Sequence, residues 1–377
     1  MLNAGGKITL YGGSCPDPEV LEAMDEAARY WIDMRELQKN AGRLLSSYLG
    51  CEDGIVTAGA YAANVIAAHT ALSMARERTG GSLGSPNIIV QSCQMTKYAE
   101  AFVSAGITIK SVERKSKRES LLDHIDGSTI AVAYVLNETE TEFDLRETVQ
   151  ACEKARVPAL VDAAIVDPVK RGVAEVLACG PDSVSVSGGK GLNGPNATGI
   201  LLGKSAFIER ARSLAFPYYG PGRAMKVSKE QFAGLMTAVR IAAEIDEQAK
   251  IDGWKKRAER VREALRGIPG VRTETIFPWE LNFPQPIPRV GIFIEAPDGE
   301  RMAEEVKRRL FEGSPSILVR PMSDVIKAKN AITLDLRPLR ESEVRVLTES
   351  LRAVLSAVVR ARAPDRARKR AEAVARS

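Results

Sequence analysis

Residues 159–204 constrain this chain more than any other stretch. They open as Ala159-Leu-Val-Asp162-Ala-Ala, pass through a helical pattern, and continue as Asp182-Ser-Val-Ser-Val-Ser187-Gly-Gly-Lys190-Gly-Leu-Asn-Gly-Pro. Two short apolar runs each end in a polar residue and are separated by one helix. That is a β-α-β layout, which brings chemistry to the carboxyl ends of the strands. An acid at one strand end (Asp162) and an amine in the Gly-rich turn after the next (Lys190) meet the needs of pyridoxal 5'-phosphate (PLP). The amine forms the Schiff base, and the acid keeps the pyridine nitrogen protonated so that the ring accepts electrons. The plainer reading makes Asp162 a helix N-cap and Lys190 a solvated loop lysine. Spacing alone does not choose between them.

The rest of the composition narrows the class. With 377 residues, 45% hydrophobic and 27% charged, the chain has enough material for a large α/β domain and a smaller one. The net charge of +5 sits largely in residues 360–376, so nothing in the body suggests a nucleic-acid groove, and 5% aromatics argue against base-stacking platforms. Five cysteines, widely spaced and without a CxxC pair, point away from a disulfide framework or a metal site and toward a reducing compartment. No signal-peptide pattern or membrane-length apolar run is present, so a cytoplasmic protein without a membrane partner is expected.

Taken in order, residues 1–20 form a Gly/Pro-rich arm, and Pro18 opens a helix with Val20, Met24, Ala27, Ala28 and Trp31 on one face. A second helix covers residues 34–49. The turn Ala58-Gly59-Ala60 leads into a small-residue helix over 60–75. Its backbone amides and dipole suit an anion such as the cofactor phosphate, while close packing of an Ala-rich helix is the structural alternative. His69 within it reads as a packed histidine. Strands are expected at 87–91, 107–112, 129–136 and 199–202, with helices near 97–105 and 145–155. Together with the opening stretch they specify a doubly wound, mainly parallel sheet. Helices span 228–265. From about residue 270 a small α+β domain follows, with strands at 290–294, 317–319 and 331–336 and helices at 301–310 and 341–359. The expected organisation is an N-terminal arm and helices (1–45), a large domain (46–250), a small domain (251–360) and a basic tail (361–377).

The ordered motifs resemble a known family. They are Gly12-Gly13-Ser14, Pro18-Glu19-Val-Leu-Glu-Ala-Met24, Asp33-Met-Arg-Glu-Leu-Gln38, Thr57-Ala-Gly-Ala60, Val161-Asp-Ala-Ala164, Ser187-Gly-Gly-Lys190, Gly222-Arg-Ala-Met-Lys-Val227 and Asp335-Leu-Arg337. The chain resembles the fold-type I PLP-dependent enzymes of the selenocysteine synthase / D-glucosaminate-6-phosphate ammonia-lyase family over nearly its whole length. That resemblance implies the PLP-dependent transferase fold, with Lys190 as the Schiff-base lysine and Asp162 as the pyridinium partner. It further implies that Ser187 and the turn Ala58, Gly59, Ala60 hold the phosphate, that Arg223 receives an anionic substrate, and that Arg337 clamps its carboxylate. Relatives of the lyase type carry a His where this chain has Gln94, so Gln94 is expected against the cofactor face. It cannot shuttle a proton as an imidazole does, and Tyr98 or Lys97 are substitutes. The implied activity is α,β-elimination from a β-hydroxy amino acid, a phosphorylated sugar-derived one included, by at least a homodimer. Alternatives are a selenocysteine synthase-like transferase acting on seryl-tRNA, an aminotransferase or racemase, or a scaffold without turnover. The tRNA reading is disfavoured by the modest body charge and by a chain that starts almost at the arm.

Overall fold

The computed structural model describes residues 1–81, 83–103, 106–137, 141–277, 285–321 and 328–361. The basic tail and residues 104–105 of the helix expected at 97–105 lie outside them. The chain divides into two units. Residues 9–245, with Gln285, form the larger; residues 1–8, 246–277 and the described residues from 286 onward form the smaller.

The larger unit is built on seven strands: β1 (Asp53–Thr57), β2 (Asn87–Gln91), β3 (Thr108–Val112), β4 (Thr129–Val135), β5 (Ala159–Asp162), β6 (Ser183–Ser187) and β7 (Gly199–Gly203). Their order across the sheet is β1-β7-β6-β5-β4-β2-β3. Only β7 runs against its neighbours; the others are parallel in sense. Strands β2, β4, β5 and β7 are buried at every position, as a sheet covered on both faces requires. Alternation sorts the side chains into two cores. Val56, Ile89, Val132, Val161, Val184 and Leu202 pack with helices Met34–Leu49, Leu145–Ala155, Val169–Leu177 and Lys229–Glu244. Ile55, Ile88, Ala133, Leu160 and Leu201 pack with helices Ala60–Arg78 and Ser205–Leu214. This is the doubly wound, mainly parallel sheet expected from the sequence.

Helix Ala60–Arg78 is buried almost all round, so its Ala-rich sequence lets it lie close on the sheet. Helix Pro18–Ala28 departs from expectation: it ends before Trp31, which is 100% exposed, and only Val20 is buried. The helical period therefore does not reach the tryptophan.

In the smaller unit an antiparallel sheet runs in the order Arg320–Pro321, Ala331–Leu334, Arg289–Ile294, Val271–Ile276. Helices Glu247–Leu265, Gly299–Glu312 and Glu341–Arg360 bury Val261, Val306, Leu347 and Leu351 in its core. The N-terminal Leu2–Asn3 pairs in parallel with Ile317–Leu318, and Gly5 bridges Asp335. No helix among the described residues is long and apolar enough to cross a membrane.

Candidate active site

The parallel strands end on one edge of the large sheet, and Asp162 and Ser187, two of the residues singled out from the sequence, end strands there. Thr57 at the end of β1 is opposite Gly199, which is in turn opposite Ser187 at the end of β6. The turn after β1 folds back over Gly199. A Cβ at residue 199 would lie 2.6 Å from the Gly59 carbonyl carbon, so only glycine lets the turn settle there. Gly59 itself has φ 95° and caps helix Ala60–Arg78 without any side-chain hydrogen bond to the first amides. The helix N-terminus thus keeps its N–H groups for an anion, beside the Ser187 strand end.

One strand further, Asp162 ends β5, between Val135 of β4 and Ser185 of β6. Its carboxylate is buried and held by neutral donors. Asn64 Nδ2 donates to Oδ2 at 2.7 Å, and the Ala164 backbone N–H donates to Oδ1 at 3.0 Å. Asn64 is itself 3% exposed, and its Oδ1 accepts from the Ser185 hydroxyl at 2.7 Å. Burial drives the Asp162 carboxyl above its ordinary range, opposed by the Ala164 amide, the positive charge of Lys190 and the Asn64 amide.

Lys190 sits in a turn that glycine alone can build. A Cβ at residue 188 would meet Thr198 Oγ1 at 2.1 Å, one at 189 would meet Asn196 Oδ1 at 2.6 Å, and one at 191 would meet the Val166 carbonyl oxygen at 2.0 Å. The N-terminal arm packs on the same turn: Ser14 donates to the Gly194 carbonyl, and Asn193 Nδ2 donates to the Cys15 carbonyl at 3.0 Å. Lys190 Nζ lies 5.6 Å from the centroid of the Tyr98 ring, which is 57% exposed. Tyr98 is thus the aromatic side chain beside the lysine.

The other expected residues have different settings. Gln94 is fully buried. Its amide donates to the Val135 carbonyl at 2.8 Å and its oxygen faces Gln91 Nε2 at 3.4 Å, so the side chain is committed to the sheet edge and offers no open face. Arg223 has its guanidinium carbon 5.5 Å from the ring centroids of both Phe216 and Tyr219. Arg337, in the smaller unit, donates from Nη2 to Asp335 Oδ2 at 2.6 Å. Sequence reasoning missed Asn64 and Ser185. The available signal was the alternation of β6: Val184 and Val186 enter one core, which turns the serines toward the Ala-rich helix.

The residues at this edge suit PLP: uncapped helix amides and a serine for the phosphate, a buried carboxylate whose charge lacks a full complement of cations, and an amine beside an aromatic ring.

No family model matches the chain. It is 28% identical over 371 residues to the 5'-C-glycyluridine monooxygenase-decarboxylase of a Streptomyces species, covering 93% of this chain and 90% of that protein. It is 27% identical over 368 residues to the D-glucosaminate-6-phosphate ammonia lyase of Salmonella typhimurium, covering 94% and 95%. The L-seryl-tRNA(Sec) selenium transferase of Caldanaerobacter subterraneus is 25% identical over 347 residues, covering 82% and 70%. A solved structure of D-glucosaminate-6-phosphate ammonia-lyase superposes with a TM-score of 0.75 at 24% identity, over 95% of this chain and 96% of that one. The chain therefore has the fold-type I architecture of PLP enzymes and is related, along most of its length, to the group that includes D-glucosaminate-6-phosphate ammonia lyase and the selenium transferase.

Proposed function

We propose that this chain uses PLP to break a bond at Cα or Cβ of an amino acid, and that its main reaction is elimination from a β-hydroxy amino acid to give a 2-oxo acid and ammonia. The observation that carries this reading is the buried Asp162, held by Asn64 and Ala164 and acted on by the charge of Lys190. Bound at this edge, PLP supplies an aldehyde that condenses with amines and a protonated ring that takes up the electron pair left at Cα. Asp162 would accept a hydrogen bond from the ring nitrogen and keep the proton on it. Lys190 Nζ takes the proton from the substrate Cα, and the crowded glycines of its turn fix where that amine reaches. Ser187 and the first amides of helix Ala60–Arg78 bind the phosphate. Tyr98 covers the lysine and limits water around it. Arg223 is the cation proposed for an anionic group of the substrate.

A second reading is favoured by the 28% identity to a monooxygenase-decarboxylase, level with the 27% to the ammonia lyase. In it the same acid and amine serve loss of the substrate carboxylate with uptake of oxygen. One experiment separates the two. Holoprotein is given a panel of β-hydroxy and glycyl-type amino acids, and ammonia, carbon dioxide and oxygen are followed together, with Lys190→Ala as the blank. Ammonia with 2-oxo acid supports elimination, while oxygen uptake with carbon dioxide supports the second reading. Conversion of the cofactor to its amine form without ammonia points to aminotransfer. A protein that binds no PLP overturns both readings. Binding of tRNA that is lost with added salt would point to the selenium-transferase chemistry instead.

We further propose at least a homodimer. Tyr30 is 64% and Trp31 100% exposed, beside a groove lined by Ala23, Ala27, Leu37 and Ala233, and a second copy of the chain is the proposed cover. Light scattering of the purified protein tests it; a monomer at micromolar concentration refutes it.

A further inference from the structure

We infer that Asn64, with its amide fixed by Ser185, is a positioning residue for Asp162: it fixes the orientation of the carboxylate and leaves one set of lone pairs for the ring nitrogen of PLP. The inference rests on the PLP reading above. An ionised carboxylate only accepts hydrogen bonds, so the Asn64 group facing Oδ2 is the NH₂, and its carbonyl oxygen must face Ser185. Ser185, 1% exposed, donates its hydroxyl proton to that oxygen. Turning the amide over would direct oxygen at the carboxylate and take from a buried hydroxyl the acceptor it now uses, which is costly. Only a protonated Asp162 would welcome the flipped amide, so the Ser185–Asn64 pair selects the ionised carboxylate. Oδ1 is engaged in turn by the Ala164 N–H. Two neutral donors from different elements thus clamp both oxygens.

Neither Asn64 nor Ser185 titrates near neutral pH, so the clamp works without an imidazole. The chain has two histidines, His69 and His124; neither hydrogen-bonds the Asp162 carboxylate. Ser185 is therefore the sharper probe, because its side chain bonds Asn64 and not the carboxylate.

The test uses holoprotein loaded with PLP that is ¹⁵N-labelled at the ring nitrogen. The nitrogen chemical shift reports protonation, and a fluorescence titration gives the cofactor Kd. In the native protein the nitrogen is protonated. Asn64→Ala moves the shift toward the unprotonated form and raises Kd by roughly 10- to 100-fold, the range for a hydrogen bond to a charged group. Ser185→Ala moves both in the same direction by less, and adds nothing in the Asn64→Ala background. Ser185→Thr, which keeps the hydroxyl, returns the native shift; a purely packing role would not be rescued by the larger side chain. If Asn64→Ala fails to fold, the Ser185→Ala and Ser185→Thr pair carries the test. Native-like shift and Kd in Ser185→Ala, or additive effects in the double variant, overturn the inference while the PLP reading stands. A native protein that binds no PLP overturns both.

Discussion

Two of the buried carboxylates among the described residues, Asp335 and Asp162, are held in opposite ways. Asp335, in the smaller unit, accepts from the Arg337 backbone N–H and from both Nε and Nη2 of that guanidinium, with Arg289 Nε 4.0 Å away. Gly6, where a Cβ would lie 2.8 Å from Oδ2, covers it with backbone. The two guanidiniums hold its carboxyl well below the usual carboxylate range despite full burial. Asp162, in the larger unit, has two neutral donors and one more distant ammonium, and burial wins: its carboxyl is pushed up. A charge-balanced carboxylate ties backbone together. An under-balanced one, clamped in orientation but short of cations, is a place where a cationic group from outside completes the site.

That contrast can be broken in four ways. Asp335→Ala should cost about 3–5 kcal/mol of stability, because it strips two guanidiniums of their carboxylate in a buried setting; urea melts read this, and a loss under 1 kcal/mol would end the structural assignment. Asp162→Asn should instead leave apoprotein stability nearly unchanged but lower turnover by roughly 10²- to 10³-fold, as removal of a preorganised electrostatic partner does. Equal destabilisation by both substitutions would erase the distinction. Gly191→Ala pushes a methyl to 2.0 Å from the Val166 carbonyl oxygen, and should cost about 1–3 kcal/mol while moving the lysine away from the carboxylate. Loss of the PLP visible band at a temperature where the fold persists is the signature.

The smallest effect is the pH dependence, and its sign differs between the two acids. Asp335 has a depressed value, so its stabilising contribution is present above its unfolded value of 3.8 and is lost as pH falls through the folded one. Asp162 has a raised value, so its contribution is present below 3.8 and is lost as pH rises through the folded one. A bound pyridinium offsets that second loss. The rise in Tm on adding PLP should therefore grow as pH rises above 3.8 and through the raised folded value of Asp162. Asp162→Asn should flatten the trend.

Much of the large sheet was legible because strands such as Asn87–Gln91, Thr129–Val135 and Gly199–Gly203 are buried on both faces and read as largely apolar runs; residues 87–91 match Asn87–Gln91 end to end. Strand Val271–Ile276 was not read, since Val-Arg-Thr-Glu-Thr-Ile carries no apolar run and has no buried residue. Helix Ser205–Leu214 also escaped, being short and marked only by Phe207, Ile208 and Ala211. At the site, Asp162 and Lys190 stood out because glycine and small residues surround them in sequence. Asn64 and Ser185 did not, since they meet across 121 positions and look like ordinary helix and strand residues. Gln94, expected against the cofactor face, is buried and hydrogen-bonded at the sheet edge. The Val135 carbonyl and Gln91 claim its amide, and local sequence does not reveal such partners.

The hold of the arm on the lysine turn has a practical side. Ser14 and Cys15 grip Gly194 and Asn193, three or four positions past Lys190, so the polypeptide's leading edge is part of the scaffold around the reactive amine. Shortening the protein from its start, or fusing a bulky purification handle there, alters what braces that amine.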